Sequence, residues 1–220
     1  MNTRPKQGGD TLPDGRLDRI GWAYKVASET SRARARFDAW AEDYDKDVHD
    51  LLGWRGPDAT IDYVLKYVAK DADLLDAGSG TGLMGALMGE HGYTAMVGTD
   101  ISDKMLAIAR EKGIYHQDFQ ADLTKPLPVE NEAFDCVVSV GVSGYMIAET
   151  IAEFVRLLRS GGHIIYTISD SHFEEHGFQE VVDGLVDEGR LAVVEKGEAF
   201  ATLPKSDPDH LARVHVYRKM

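Results

Sequence analysis

Residues Leu74 to Leu83 read LLDAGSGTGL and contain the pattern D-x-G-x-G-x-G. A short apolar run ends at Asp76, and three glycines follow on alternate positions. Glycine permits a tight turn and a close approach of the backbone to a ligand, because it has no Cβ. A helix that begins after such a turn directs its first N–H groups at any anionic group held there. The stretch therefore predicts a strand, a glycine turn and a helix that bind a nucleotide cofactor.

A second carboxylate, Asp100, follows the apolar residues 94–99, which predict the next strand. It comes about 20 residues after the glycine turn, where a carboxylate at a strand end accepts hydrogen bonds from ribose hydroxyls. Ser102 is a favourable N-cap and Gly113 a favourable stop for a helix between them. The glycine spacing differs from the G-x-G-x-x-G of dinucleotide sites, which argues against NAD.

These two stretches resemble the first two motifs of the class I S-adenosylmethionine (SAM)-dependent methyltransferases. The resemblance implies SAM as cofactor and S-adenosyl-L-homocysteine (SAH) as product. It implies that the turn holds the methionine end of SAM and that Asp100 binds the ribose. It also implies that Ile101 and Met105 pack on the adenine. The residues concerned are Asp76, Gly78, Ser79, Gly80, Asp100, Ile101 and Met105.

The end of the third predicted strand supplies a further acid, Asp122. The resemblance implies that Asp122 bonds the adenine amine, with Ala121 and Leu123 beside it. An alternative is that Asp122 opens the turn before Pro126. The next predicted strand, residues 134–140, leads into a glycine loop, where the carbonyl of Val140 or its neighbour could accept from the cofactor's amino group.

The glycine loop, residues 141–145, lacks the Pro-Pro-Tyr box of amino-methyltransferases and the Pro-Cys of cytosine C5 enzymes. Cys136 lies inside the predicted strand, where a thiol is a small apolar residue. Only Asp170 is an acid at the following strand end, so no catalytic metal is predicted.

The segment from Ser169 to His176 leaves the sheet on the same edge as the glycine turn. His172, with carboxylates nearby, is a candidate general base. A solvated acidic loop that opens the next helix is an alternative. The i, i+4 spacing of His172 and His176 leaves a metal pair as a third.

Apolar periodicity predicts alternating strands and helices from residue 59 onward, which implies a parallel sheet covered on both faces. Two late strands, near 191–200 and 211–218, follow each other without a helix. We predict an α/β Rossmann-like three-layer sandwich with a seven-stranded, mostly parallel sheet that ends in an antiparallel hairpin. Strands are predicted near 73–77, 94–99, 115–121, 134–140 and 162–168, and helices near 82–91, 103–112, 147–159 and 176–188.

The residues before the first strand predict a disordered tail (1–15) and an N-terminal helical lid (16–58), followed by the SAM-binding domain (59–220). Trp40 and Tyr44 share one face of a predicted helix with Phe37. Tyr44 suits the border between a packed helix and a charged ligand, and Arg55 could pair with the methionine carboxylate. The alternative is that this face is ordinary core.

Composition limits the partners. The formal net charge of the 220-residue chain is −13, which argues against binding nucleic acid through its phosphates. The cluster Arg32, Arg34 and Arg36 alternates with alanine and reads as a solvated helix side. No apolar run approaches the roughly 20 residues of a membrane span. A single cysteine predicts a cytoplasmic protein.

From about Phe37 to Met220 the chain is similar to small methyltransferases of the Williams–Beuren-region type. The similarity rests on W-A-x-x-Y-D at Trp40, on the strand and loop from Asp135 to Val142, and on R-V-H-V-Y-R-K at Arg213. It implies methyl transfer from SAM to a small-molecule acceptor. A SAM-binding sensor or partner subunit without transfer activity is an alternative, because signature acceptor residues are missing. An NAD-dependent oxidoreductase is a third.

Overall fold

A computed structural model describes residues 30–220. The predicted tail (1–15) and residues 16–29 of the predicted lid lie outside these residues. The strands are β1 (Leu74–Ala77), β2 (Met96–Asp100), β3 (Gln117–Gln120), β4 (Phe134–Ser139), β5 (Leu158–Ile168), β6 (Leu191–Lys196), β7 (Phe200–Leu203) and β8 (Asp207–Lys219). The α-helices are α1 (Thr30–Trp40), α2 (Tyr44–Asp47), α3 (Gly56–Tyr67), α4 (Leu83–Glu90), α5 (Asp103–Glu111), α6 (Thr150–Leu157), α7 (Asp170–Glu175) and α8 (Phe178–Asp187).

The eight strands form one sheet in the order β3-β2-β1-β4-β5-β8-β6, with β7 paired to β8 beside this path. The first five strands of that order are parallel, and β8 runs antiparallel to both β5 and β6. The predicted Rossmann-like α/β fold is confirmed. The short strand β7 is an addition, formed because β8 is long enough to pair with β7 through its first half.

The strand order reverses direction between β1 and β4, which creates a crevice at their carboxyl ends. Both faces of these strands are apolar and covered by helices, so β1 is buried along its whole length. Cys136 is fully buried within β4, as predicted, and burial raises the pKa of its thiol. The rigid sheet thereby positions a row of loops at one edge.

The N-terminal segment runs over that edge. After α1 the chain continues through a 3-10 helix (Ala41–Asp43), α2 and a π-helix (Val48–Leu52). Gly53, with a φ of 64°, ends the π-helix. Trp40, 2% exposed, packs into a small core with Leu203 of β7, so for this side chain the alternative of ordinary core packing is correct. Several hydrogen bonds fasten the segment. Ser102 Oγ donates to Asp38 over 2.6 Å, Arg55 N donates to Thr202 O over 3.0 Å, and Asp45 accepts from Thr81 Oγ1 and Lys112 Nζ.

Candidate functional site

A cavity of about 770 Å³ opens at the carboxyl ends of β1, β2 and β4 and beneath the N-terminal segment. It brings together every predicted site residue except Arg55. The residues that line it are Tyr44, Asp76, Gly78, Ser79, Gly80, Asp100, Ile101, Met105, Ala121, Asp122, Leu123, Val140 and His172.

The glycine turn is held by backbone hydrogen bonds from β1 to β2. The amides of Gly78 and Ser79 donate to Thr99 O over 2.8 and 2.9 Å. Gly78 has a φ of +79°, and a Cβ there would collide with Val142. Gly80 also has a positive φ, of +54°, yet a Cβ on it would meet no atom within 4 Å. The backbone at Gly80 therefore faces open space, which leaves room for a ligand.

Asp100 is held rigidly at the tip of β2. It is 8% exposed, and its two carboxylate oxygens accept from Gly80 N (2.9 Å) and Ser102 N (2.8 Å). Burial raises its pKa to about 6, although these backbone hydrogen bonds oppose the rise. Ser102 also caps α5, as predicted, by accepting from Met105 N over 3.1 Å. Each carboxylate oxygen retains a lone pair for a ligand hydroxyl.

Asp76 lies behind the glycine turn and is 1% exposed. Burial raises its pKa to about 7, and a 2.6 Å hydrogen bond from the hydroxyl of Tyr115 opposes this rise. Sequence reasoning missed Tyr115, which lies 39 positions away. Its ring occupies a slot left by Gly98, where a Cβ would come within 2.7 Å of it. A glycine in the middle of a strand was the one local signal of such a close contact.

Asp122 opens the turn that follows β3, which was the alternative to a role in binding the cofactor. Its Oδ1 accepts from Thr124 N (3.0 Å) and Thr124 Oγ1 (2.7 Å). Burial opposes ionisation, but hydrogen bonds from Thr124 and Lys125 hold the pKa of Asp122 below its ordinary value. Asp122 nevertheless lines the cavity, so the structural role and a ligand contact are compatible.

His172 lies in the cavity wall on α7, which is a short helix and not the loop considered above. Ser169 caps this helix by accepting from His172 N over 3.2 Å. The half-buried imidazole stacks on His176 with ring centroids 4.1 Å apart. Burial and the neighbouring His176 lower the pKa of His172, and a hydrogen bond to the backbone of Ser143 opposes this. The neutral ring thus donates from one nitrogen and keeps a lone pair on the other.

Arg55 is not brought to the cavity. It precedes α3, and its side chain, 59% exposed, pairs with Asp58 in the first turn of that helix at 3.3 Å. Trp54, the residue before it, lines the cavity instead. Its ring lies against Gly56 and Gly141, where a Cβ would approach within 2.7 and 2.8 Å of the indole. A tryptophan in a glycine-rich turn was the only sequence signal for this position.

The charged side chains that line the cavity within residues 30–220 are all acidic: Asp76, Asp100, Asp122, Glu149 and Glu180. This wall favours a ligand with positive charge. Within the same residues, no group of three or more His, Cys, Asp or Glu is arranged to hold a metal ion. No helix of the described chain is long and apolar enough to cross a membrane.

Comparisons with known proteins agree with this geometry. Residues 75–166 match the family model of the methyltransferase domain. Human Methyltransferase-like protein 27 is 30% identical over 168 residues, which cover 74% of this chain and 67% of that protein. A demethylmenaquinone methyltransferase from Chlorobaculum parvum is 32% identical over 95 residues, or 42% of this chain and 39% of that enzyme. The chain therefore belongs to the SAM-dependent methyltransferases.

Solved structures share the fold at low sequence identity. The magnesium protoporphyrin IX methyltransferase of Synechocystis, crystallised with bound SAH, has a TM-score of 0.63 and 13% identity, and the match covers 87% of this chain and all of that one. A putative methyltransferase of Haloferax volcanii, in complex with the activator Trm112, has a TM-score of 0.59 and 19% identity, over 84% of this chain and 96% of that one.

Proposed function

We propose that this methyltransferase binds SAM in the 770 Å³ cavity and transfers the methyl group to a small-molecule acceptor. The observation that carries the proposal is Asp100, a buried carboxylate tied to Gly80 at the cavity wall. A carboxylate at this strand tip suits a ribose diol. The open backbone of Gly80 leaves space beside it for the rest of the ligand.

We assign the remaining predicted residues to different parts of the cofactor along the cavity. The backbone of Gly78, Ser79 and Gly80 holds the methionine end, behind which lies Asp76. Ile101 and Met105 pack on adenine, and Ala121, Asp122 and Leu123 border it. The carbonyl of Val140 accepts from the amino group, and Tyr44 closes the side next to the N-terminal segment. Arg55 has no place in this arrangement, because it points to Asp58.

SAM, when bound, supplies a methyl group that its sulfonium already activates. The chain's own residues hold the acceptor in line with that carbon and exclude water. His172 accepts the acceptor's proton where the nucleophile is a hydroxyl or a protonated amine. The acidic wall around the site favours the positive charge of the cofactor.

The described part of the proposed lid (residues 16–58) contributes Phe37, Tyr44 and Trp54 to the cavity wall. We include closure of this segment over the cofactor in the proposal. We also propose that the chain is of the Williams–Beuren-region type, which its 30% identity with a human methyltransferase-like protein supports. The net charge of −13 supports an acceptor other than nucleic acid.

Calorimetry with SAM, SAH and NAD tests the proposal directly. SAM and SAH are expected to bind with saturation, whereas NAD is expected to give no heat of binding. Saturable binding of NAD with no response to SAH would show that the cavity serves a different cofactor. Labelled-methyl transfer to bulk RNA is expected to be absent, and incorporation above background would remove the small-molecule acceptor from the proposal.

A further inference from the structure

A second, smaller chamber of about 190 Å³ adjoins the main cavity. Phe37, Tyr44, Trp54, Tyr145 and His172 line both spaces, so the two meet at these side chains. The far wall of the chamber comes from the hairpin of β7 and β8 and from the end of β5. The main cavity does not share the hairpin residues, which are Phe200, Thr202, Leu203, His210 and Ala212.

The chamber differs from the main cavity in charge. Within the described chain, no Asp, Glu, Lys or Arg lines it. Burial raises the pKa of Tyr44, and it raises that of Tyr145 to about 12, while burial lowers the pKa of His172. These three groups are therefore neutral at pH 7. A charged ligand here would lose its hydration with no Asp, Glu, Lys or Arg in the wall to pair with, which is unfavourable; the exposed His210 on β8 is the other titratable group that lines the chamber.

The size and the walls of the chamber favour a single flat ring. An engineered apolar cavity of about 150 Å³ holds one benzene molecule, and this chamber is somewhat larger. Phe37 and Tyr145 meet edge to face with centroids 5.1 Å apart, and Trp40 and Tyr44 do so at 4.9 Å. Aromatic walls of this kind bind another ring through offset or edge-to-face contacts.

The polar groups of the chamber indicate where a hydroxyl would bind. Thr167 Oγ1 accepts from Gly141 N over 2.9 Å, and Ser169 Oγ accepts from the amide of His172, but a neutral hydroxyl is a far weaker base than a neutral imidazole. The imidazole of His172 keeps a free lone pair and stands at the junction with the cofactor cavity. A hydroxyl on the bound ring thus meets a proton acceptor at the border with the main cavity.

We propose that this chamber binds the methyl acceptor, and that the acceptor is a neutral, single-ring phenol whose hydroxyl lies against His172. The inference rests on the proposed function, since it places the acceptor next to SAM. The phenolic oxygen forms a bond to the methyl carbon as the bond from carbon to sulfur breaks. That bond's electron pair stays on sulfur, and SAH leaves. The phenolic proton passes to His172 and then to solvent, so the products are a methyl ether, SAH and one proton.

Ligand-observed NMR on the SAH-saturated full chain tests the chamber, with 4-methylphenol as the neutral probe and benzoate as an anionic ring of similar size. We expect 4-methylphenol to bind at least tenfold more tightly than benzoate. Incubation with SAM and 4-methylphenol should yield 4-methylanisole by mass spectrometry.

A variant in which a larger side chain fills the chamber provides the decisive test. Ala212, 5% exposed, lines the chamber, and Ala201, also on the hairpin, lines neither space. Ala212→Phe should weaken 4-methylphenol binding at least tenfold, whereas the control Ala201→Phe should change it less than twofold. Both variants should bind SAH within twofold of the parent, and this binding also verifies their folding. Thr202→Leu fills the chamber from β7 and replaces Ala212→Phe if that variant does not fold.

The outcomes separate the two proposals. Equal binding of benzoate and 4-methylphenol, or unchanged binding after the chamber is filled, overturns the acceptor assignment while SAH still binds. Failure of SAH to bind the parent, with 4-methylphenol bound, overturns the proposed function and leaves a phenol site without a methyl donor.

Discussion

The main cavity and the smaller chamber share one wall, but different kinds of side chain line the rest of each space. The cavity carries five carboxylates, of which Asp76 and Asp100 are at most 8% exposed. Its residues between Asp76 and Leu123 come from three strand ends that follow each other in the chain. The chamber carries no ionisable Asp, Glu, Lys or Arg among the described residues. It is assembled from segments near residues 37–56, 141–145, 167–172 and 200–212.

This difference indicates that the two regions would select their ligands differently: the cavity by charged and hydrogen-bonding groups, and the chamber by its shape. In the cavity, burial holds two carboxyl groups at pKa values near 6 and 7, so the ionised forms lower the stability of the ligand-free protein at neutral pH. In the chamber, the described wall carries aromatic rings and no carboxyl group, so this cost is absent. The cofactor would be recognised by hydrogen bonds to fixed groups, and the acceptor by volume and neutrality.

The largest expected effect concerns the group that stands between the two regions. His172→Asn should lower the turnover of 4-methylphenol by about 10²–10⁴-fold, because a positioned general base contributes on that order. SAH affinity should change little. His163→Asn, a half-buried histidine that lines neither space, is the matched control.

The pH profile sharpens the same prediction. The neutral form of His172 is the base, and its pKa lies below the ordinary 6.5. Turnover with saturating SAM should therefore rise with pH through a midpoint under 6.5 and be level by pH 7.5. His176→Asn should move the midpoint upward, because the neighbouring ring no longer lowers that pKa. A flat profile in the parent would remove His172 as the base.

The next effect belongs to the cavity alone. Asp100→Ala should weaken SAH binding at least about tenfold, since hydrogen bonds to a charged group contribute about 1.5–3 kcal/mol each. Asp103→Ala, three positions on and exposed, should leave affinity unchanged. Calorimetry measures both variants. Equal affinities for Asp100→Ala and the parent would mean that the ribose lies elsewhere.

A smaller effect concerns stability and pH. Because the pKa of Asp76 is raised to about 7 in the folded chain, the folded state binds more protons than the unfolded one between about pH 4 and 7. The stability of the ligand-free protein should thus fall as pH rises through this window. Asp76→Asn keeps an acceptor for Tyr115 and should raise the free energy of unfolding at pH 8 by about 1–3 kcal/mol.

Urea unfolding at pH 5 and pH 8 measures this effect, with Asp58→Asn on the surface as the control. We expect the difference between Asp76→Asn and the parent to shrink at pH 5, where the parent's carboxyl is already protonated. A parent that is more stable at pH 8 than the variant would mean that the buried carboxylate has a stabilising partner at neutral pH.

The smallest effect tests whether the wall shared by the two regions is a lid. Hydrogen exchange over residues 31–56 should slow when SAH is added, because Phe37, Tyr44 and Trp54 line the cavity. Amides in the buried strands β4 and β5 serve as the reference and should change little. Equal exchange of residues 31–56 with and without SAH would leave this segment as a fixed wall.

Much of the cavity was predictable because its signals are local. A glycine with positive φ, an acid at a strand end and a serine cap each act within a few residues, so Gly80, Asp100 and Ser102 could be read from spacing alone. Their roles toward SAM stay predictions, although the structure groups them at one wall. Arg55 was placed by the chemistry of its side chain, and the start of α3 directs it away.

The sequence by itself determined the alternation of strands and helices and the glycine turn, because periodicity and backbone conformation are local properties. The methyltransferase class followed from the resemblance of its motifs to those of a known family. Tertiary structure alone decided that Tyr115 supports Asp76, that Trp54 replaces Arg55 at the cavity, and that β7 joins β8. It also decided that an uncharged chamber lies beside the carboxylates. These features depend on strand order and register, which bring together residues far apart in the chain and leave no mark on the spacing of any one segment.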